Sequence, residues 1–323
     1  MTNTWVSGAD VPTLRLRARL LRAIREFFFE RQVLEVTTPA LGAAGVTDVH
    51  IVNLSLHLDS GQYFLQTSPE YFMKRLLAGE SGPIYQIGPA FRGGESGSRH
   101  NTEFTMLEWY RPGFTLVELL AEFEDLLRVL CIVFECDPGV FARHRYKDLF
   151  FERWGENPHR ADLETLRRIA HPLASGHIAD TGDEATRNSY LELLFAEGVE
   201  KALTLPSAVL EYPASQAALA EVGEDDEGET VAFRFEFLWN GIELANGYLE
   251  LRDANQLSRR MSMNNKLREA RGLPQVEPDR KLLAALPHMP PCSGVAVGLD
   301  RLLMVLTGKQ SLDEILAFSD RRL

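Results

Sequence analysis

Cysteine is scarce in this sequence: only Cys131, Cys136 and Cys292 occur among 323 residues. Three thiols at spacings that fit no metal site exclude a disulfide scaffold and suggest a reducing compartment, the cytoplasm. Long apolar runs are absent too. Stretches such as Cys131 to Phe134 fall far short of the roughly 20 residues that a membrane helix needs. The opening MTNTWVSGADVPTLRLR has no apolar signal core, so neither secretion nor a membrane partner is expected. Positive charge is in deficit, with 34 basic against 46 acidic residues and a net charge of -12. That balance argues against wide, non-specific contact with nucleic-acid phosphate. There is no internal repeat and no low-complexity linker. Composition is otherwise that of a globular protein, 45% hydrophobic and 25% charged.

Periodicity supplies the elements. Residues 14–31 read as a helix, because Leu20, Ile24, Phe27 and Phe28 recur at helical spacing. Arg15, Arg17, Arg19, Arg22 and Arg25 on the same segment read as a solvated basic face. Val33 to Val36 is a short strand closed by Pro39. Ser68-Pro69-Glu70 opens a helix, with Ser as N-cap and Pro in the first turn. Residues 84–92 and 103–111 are strands joined by the polar, Gly-rich stretch 93–102. Residues 115–136 form an apolar helix, with Cys131 and Cys136 in its core. The middle, about 140–225, reads as mostly helical, and the acidic run Glu224 to Glu229 as an exposed loop. Strands 231–239 and 242–251 flank Asn240-Gly241, a tight-turn signal. A polar helix spans 252–271, and a Gly-rich strand 293–298 runs into a helix from Asp300. Hairpins separated by helical blocks predict an α+β fold on an antiparallel sheet.

Three segments carry chemistry. On the strand 103–111, a period of two puts Phe104, Met106, Glu108 and Tyr110 on one face. An aromatic ring and a carboxylate lie about 13 Å apart there, at ~3.3 Å per residue. Such a row serves either as a ligand groove or as a half-buried strand with one wet edge. In the second hairpin, a two-residue turn pairs Leu238 with Glu243 and Glu236 with Ala245. Glu236 and Glu243 then share a face and repel one another. A divalent cation between them relieves this, and so does Arg234 as counter-ion. By simple parity Glu250 falls on the opposite face, and a bulge at Gly247 would bring it round. In Ser293-Gly-Val-Ala-Val-Gly-Leu-Asp-Arg301, two glycines allow either close approach of a nucleotide or tight strand–helix packing. Arg301 offers a planar cation.

These residues also carry a family resemblance. Phe91-Arg92, Arg99-His-Asn101 and Glu103-Phe-Thr-Met-Leu-Glu108 resemble motif 2 of class II aminoacyl-tRNA synthetases of the lysyl type. Gly294-Val-Ala-Val-Gly298-Leu-Asp-Arg301 resembles motif 3, and Val33-Leu-Glu-Val-Thr-Thr-Pro39 resembles motif 1. Gly241-Ile-Glu-Leu-Ala-Asn-Gly247 with Glu250 matches the lysyl type as well. The spellings HNTEFTMLEWYRP and GIELANGYLEL are closest to the lysyl-tRNA synthetase paralogues that ligate (R)-β-lysine to elongation factor P. The motif 1 segment begins near residue 14, so no anticodon-binding barrel is expected. The resemblance implies a single class II catalytic domain over 1–323, a mixed, mostly antiparallel sheet flanked by helices, with a helical insertion at about 140–225.

The resemblance further implies an ATP-dependent, AMP-forming ligase that uses Mg²⁺. Its expected partners are elongation factor P, lysine or β-lysine, and a second copy of the chain, but not tRNA. The dimer would form through motif 1, with Glu35 and Thr37 facing the partner strand. Arg92 would bridge the α-phosphate and the substrate carboxylate, while His100 and Arg301 would hold the outer phosphates. Phe104 would stack on adenine, with Arg301 on its other face. Asn101, Leu244 and Gly298 would also touch the nucleotide. In motif 2, Arg92-Gly93-Gly94-Glu95 places its acid one position later than the usual spelling, and two glycines would let the loop bring Glu95 to the adenine amine. Glu236 and Glu243 would bind Mg²⁺. Glu70, with Ser68 and Pro69 beside it, would meet the substrate's backbone-side amine. Glu108, Tyr110 and Glu250 would receive the ε-ammonium, and Asn246 the carboxylate. The rival readings are a truncated synthetase that acylates tRNA or a free amine, and a regulatory paralogue without activity.

Overall fold

A computed structural model describes residues 5–94, 97–173 and 184–323. In chain order the first elements are α1 (Val11–Glu30), β1 (Leu34–Glu35), β2 (Leu41–Gly42), β3 (Ser55–Leu58) and β4 (Gly61–Leu65). Next come α2 (Glu70–Ala78), β5 (Ile84–Phe91), β6 (Glu103–Pro112) and α3 (Leu116–Phe134). The middle holds β7 (Ala142–Arg145), α4 (Tyr146–Trp154), α5 (Leu163–Ala170), α6 (Glu184–Gly198), β8 (Ser207–Pro213) and β9 (Val222–Glu224). The hairpin β10 (Thr230–Trp239) and β11 (Ile242–Leu249) follows, then α7 (Ala254–Ala270), α8 (Arg280–Ala285), β12 (Cys292–Gly298) and α9 (Leu299–Thr307). The chain divides into two compact units, one of Met1–Asp137 with Leu251–Leu323 and one of Pro138–Glu250.

In the first unit, β5 pairs parallel with β1 and antiparallel with β6, and β6 pairs antiparallel with β12. A smaller antiparallel sheet has the order β2-β4-β3. Helix α1 starts where Asp10 accepts from Thr13 N at 2.8 Å, and it buries Leu20, Ile24, Phe27 and Phe28. Phe28 stacks on Tyr85 at 4.4 Å and meets Trp109 edge-on at 5.3 Å. Helix α3 opens with a capping box between Thr115 and Glu118. It ends at Glu135 in the left-handed region, with φ 55°.

In the second unit, β10 pairs antiparallel with β8, β9 and β11, and β8 pairs parallel with β7. Both units thus rest on mixed, mostly antiparallel sheets. The core here gathers Tyr146, Phe150, Phe195 and Tyr212, with Tyr146 stacked on Phe195 at 4.3 Å.

The predicted elements of the first unit and the β10–β11 hairpin stand within a few residues of expectation. The middle differs, because β7, β8 and β9 run through a stretch that reads as mostly helical. Strand β8 is buried at Ala208 and Val209 alike, so its apolar residues run on without alternating, a pattern that a helix also produces. Two charge readings change as well. Arg17 is not part of a solvated face but bonds the buried Asp300. Asp225, within the acidic run, has a side chain only 1% exposed and pairs with Lys147 at 2.7 Å.

Candidate active site

Strand β6 makes the floor of the first unit's candidate site. Its face of Phe104, Met106, Glu108 and Tyr110 extends onto both neighbours, since residues directly opposite share a face. Ala90, Gly88, Gln86 and Ile84 stand opposite on β5. Gly298, Ala296 and Gly294 stand opposite Met106, Glu108 and Tyr110 on β12. On the β12 side, and at Gly88 and Ala90 on β5, the residues opposite the large side chains are small. A Cβ added at Gly298 would meet only the Arg301 Cδ, at 4.0 Å, so the backbone there is open to a ligand.

Charged groups stand along this row. Glu108 is buried and accepts a hydrogen bond from the Tyr110 hydroxyl at 2.6 Å. Toward the other end, the Arg92 guanidinium lies over the Phe104 ring, 5.2 Å from its centroid. Arg92 Nε is buried without a hydrogen-bond partner. A buried donor left unmet costs stability unless a ligand satisfies it, and a carboxylate or phosphate oxygen would do so. Arg301 Nη2 lies 2.6 Å from His100 Nε2, and Arg301 Nε donates to the Arg99 carbonyl at 3.2 Å. A guanidinium only donates, so in this contact His100 Nε2 takes the acceptor role.

Other residues hold these groups in place. Asp300 accepts from Arg17 Nη1 at 2.5 Å and from Thr105 N at 2.7 Å, so α1, β6 and α9 meet beside Phe104 and Arg301. Asn101 donates to the Glu103 carbonyl at 2.7 Å, and its Oδ1 accepts from Asp320 N at 2.8 Å. Its amide is thereby engaged in the loop itself. Glu95 lies outside the described residues. At the start of α2 the N-cap is Pro69, not Ser68, and no side chain caps the helix; Ser68 Oγ stands one residue earlier and accepts from Glu70 N at 3.3 Å. Glu70 Oε1 receives the almost fully buried Lys74 Nζ at 2.6 Å. The favourable acid at a helix N-terminus thus has a cation already, one helical turn on.

In the second unit, Asn240 and Gly241 both take positive φ, 54° and 63°, as the predicted turn requires. Leu238 pairs with Glu243 as expected, but Glu236 pairs with Asn246 rather than Ala245. The register shift falls between Phe237 and Leu238, which makes Leu244 the extra residue of a bulge. The expected bulge at Gly247 is absent, because Gly247 pairs regularly with Phe235, whose ring fills the place of a Cβ. Counting on from the bulge, Asn246, Tyr248 and Glu250 share the face of Glu236 and Glu243. Glu250 therefore does not lie on the opposite face. The Leu244 side chain is buried, so a nucleotide would meet only its backbone.

Burial pushes the Glu236 carboxyl above its ordinary range; Arg234 opposes the rise and Glu243 adds to it. Arg234 bonds Glu236 Oε1, and the Tyr212 hydroxyl donates to Oε2 at 2.8 Å. Among the described residues no cluster of three or more His, Cys, Asp or Glu side chains is placed to hold a metal ion. Glu236 and Glu243 offer two carboxylates on one face, which suffice for a hard divalent cation only where phosphate or water completes its shell. Asn246 Oδ1, opposite Glu236, is buried without a partner. Sequence reasoning did not single out Tyr212, Asp320 or the Arg17 contact, whose partners lie on other elements. The Lys74 contact was within reach, since it stands four residues after Glu70.

A family model described as tRNA synthetases class II (D, K and N) matches residues 9–322. Among curated relatives, the elongation factor P--(R)-beta-lysine ligase of Pseudoalteromonas translucida is 44% identical, over 99% of each chain. The protein of that name from Edwardsiella ictaluri is 45% identical, over 98% of this chain and 97% of its own. That of Yersinia enterocolitica is 44% identical, over 98% of each.

Proposed function

Because this chain belongs to the class II tRNA synthetases of the D, K and N type, we propose that it is an ATP-dependent, AMP-forming ligase that joins (R)-β-lysine to a lysine of elongation factor P. The relatives at 43–45% identity over nearly their whole length carry that name, which favours the protein target over tRNA. The single structural observation that supports the reading is the β6 row. A buried Glu108 braced by Tyr110 suits an ammonium, and an Arg92 with an unmet donor suits the reacting anions.

Two steps account for the chemistry. The amino-acid carboxylate attacks the ATP α-phosphorus; the acyl–phosphate bond forms and the bond to the bridging oxygen breaks, releasing pyrophosphate. The ε-amine of the target lysine then attacks the acyl carbon. The C–N bond forms, the C–O bond to AMP breaks with AMP leaving, and the amine's proton passes to solvent. Positioning and charge neutralisation carry most of such a reaction. Arg92 spans the α-phosphate and the substrate carboxylate, and Phe104 stacks on the base. Asn101 and the Gly298 backbone border the nucleotide, and Glu95 is assigned to the adenine amine. Arg301 and His100 meet the outer phosphates. Glu70, next to Ser68 and Pro69, takes the second substrate amine, while Glu108 and Tyr110 take the ε-ammonium. In the second unit, Glu236 and Glu243 hold Mg²⁺, Leu244 lends its backbone to the nucleotide, Asn246 is assigned to the carboxylate and Glu250 to the ammonium. Bound Mg²⁺ would offset phosphate charge.

The whole chain is read as one catalytic domain acting in the cytoplasm as a homodimer. Phe29 and Leu34, exposed at 83% and 57% beside Arg25 and Glu35, offer the motif 1 surface for a second copy. Intact-mass measurement of elongation factor P after incubation with enzyme, ATP and either lysine isomer tests the function. Addition of one β-lysyl unit is expected; charging of tRNA with no change in the protein target refutes it.

A further inference from the structure

We infer that Tyr212 and Arg234 are positioning residues that fix the carboxylate of Glu236 for its metal ion, an inference that rests on reading Glu236 as a Mg²⁺ ligand. All three side chains belong to the second unit. Glu236 stands on β10, where its two oxygens meet different donors. Arg234, two residues back on the same face, takes Oε1, and Tyr212 on the neighbouring strand β8 takes Oε2 at 2.8 Å. A carboxylate held at both oxygens cannot rotate about its last torsion. Each oxygen still keeps a lone pair for a cation.

Arg234 is itself anchored. Its residue surface is 8% exposed, its Nη1 donates to the Gln216 carbonyl at 2.9 Å, and its guanidinium lies 4.5 Å from the Tyr212 ring centroid. The Tyr248 ring is 5.6 Å away. A planar fork held by a carbonyl and two rings presents its donors in one direction, which an ammonium cannot reproduce. Tyr212 thus does two things: its hydroxyl fixes Glu236, and its ring fixes the arginine that fixes Glu236. Arg234 also supplies one positive charge against the pair Glu236 and Glu243, so the hairpin can fold before any metal arrives. Outer groups of this kind orient a ligand without touching the metal, and their loss costs about 10–100-fold in metal affinity.

The test uses the full chain, Mn²⁺ as the probe and an ATP analogue that cannot be cleaved at the α-phosphate. Free Mn²⁺ is followed by electron paramagnetic resonance, and analogue binding without metal is measured separately. Tyr212→Phe keeps the ring and removes only the hydroxyl. It should weaken Mn²⁺ about 10-fold or more while metal-free analogue affinity stays within ~2-fold of the parent. Arg234→Lys keeps the charge and loses the fork, and it should weaken Mn²⁺ likewise. Glu236→Gln should abolish the tight Mn²⁺ site. If Tyr212→Phe and Arg234→Lys bind Mn²⁺ like the parent while Glu236→Gln does not, the positioning role is overturned and the metal site stands. If Glu236→Gln binds Mn²⁺ like the parent, the metal reading itself fails. Should the lysine variant not fold, Tyr212→Phe alone decides.

Discussion

Arg17→Met separates a structural ion pair from a solvated helix face. Asp300 is buried and takes two donors, Arg17 Nη1 at 2.5 Å and Thr105 N at 2.7 Å. Arg17 also reaches Thr105 Oγ1. Removing the guanidinium leaves a buried carboxylate with one backbone donor. Breaking a fully buried pair in this way costs about 3–5 kcal/mol. The Arg17 side chain is 24% exposed, so water softens the loss, and about 2–3 kcal/mol is expected. For a unit of this size that lowers the melting temperature by roughly 5–10 °C, at ~2–4 °C per kcal/mol. Asp300→Asn in the Arg17→Met background removes the stranded charge, so the double variant should recover ~1–2 kcal/mol relative to the sum of the single changes. Asp300 and Thr105 are the chain neighbours of Arg301 and Phe104. The KM for ATP in pyrophosphate exchange should therefore rise about 3–10-fold, from a loss of ~1 kcal/mol of positioning. A melt within ~1 °C of the parent, with unchanged KM for ATP, would refute the reasoning.

Glu108→Gln removes one of the two carboxylates assigned to the ammonium of a bound diamino acid, and a buried charge short of a partner costs up to ~3–5 kcal/mol; an unchanged KM for the amino acid would show the pocket to be misplaced. Burial raises the Asp225 carboxyl, yet Lys147 and the backbone N–H groups of Glu229 and Glu227 outweigh it and hold it at about 2. That is below the ordinary value near 3.9, so the contribution to stability is complete above pH ~4 and lost as pH falls toward 2. Lys147→Met should flatten the acid limb of a melting-temperature profile over that window, and an unchanged limb refutes the assignment. Burial first, then the Cys136 thiol beside it, push Cys131 up to about 12. Iodoacetamide at pH 8 should label the half-exposed Cys136 at least ~10²-fold faster than Cys131, read by peptide mass spectrometry; equal rates would contradict the burial.

Much of the fold was legible because its signals are local. The stripe Leu20, Ile24, Phe27 and Phe28, the helix start at Ser68-Pro69-Glu70 and the turn at Asn240-Gly241 each need only neighbouring residues, although the N-cap proves to be Pro69 and not Ser68. The α+β class followed from them. What stayed hidden depends on an extra residue or a distant partner. Parity assigns faces to a strand until one residue is inserted, and nothing in Glu243-Leu244-Ala245 marks Leu244 as that residue. The bulge moves Asn246, Tyr248 and Glu250 onto the face of Glu236. The conjecture of a bulge at Gly247 had the right consequence for Glu250 but the wrong place, because Gly247 is small for another reason, the Phe235 ring packed against it.

The candidate site divides along the same line. Groups assigned to the ligand are spelled in short motifs, because a single strand sets their spacing. Phe104, Glu108 and Tyr110 need only β6 to stand in a row. Groups that hold them come from other elements: Arg17 reaches Asp300 across 283 residues, and Asp320 reaches Asn101 across 219. Tyr212 reaches Glu236 across 24, from a strand whose apolar run disguised it as helix. A motif therefore marks the residues assigned to the ligand, whereas the contacts that hold those residues in place lie outside any motif. Two sequences with the same motifs can then differ in metal affinity and in KM for ATP through Tyr212 or Arg17 alone. Exchanging those positions between relatives, with the motifs left intact, would move these constants, whereas exchanging exposed residues such as Arg22 would not.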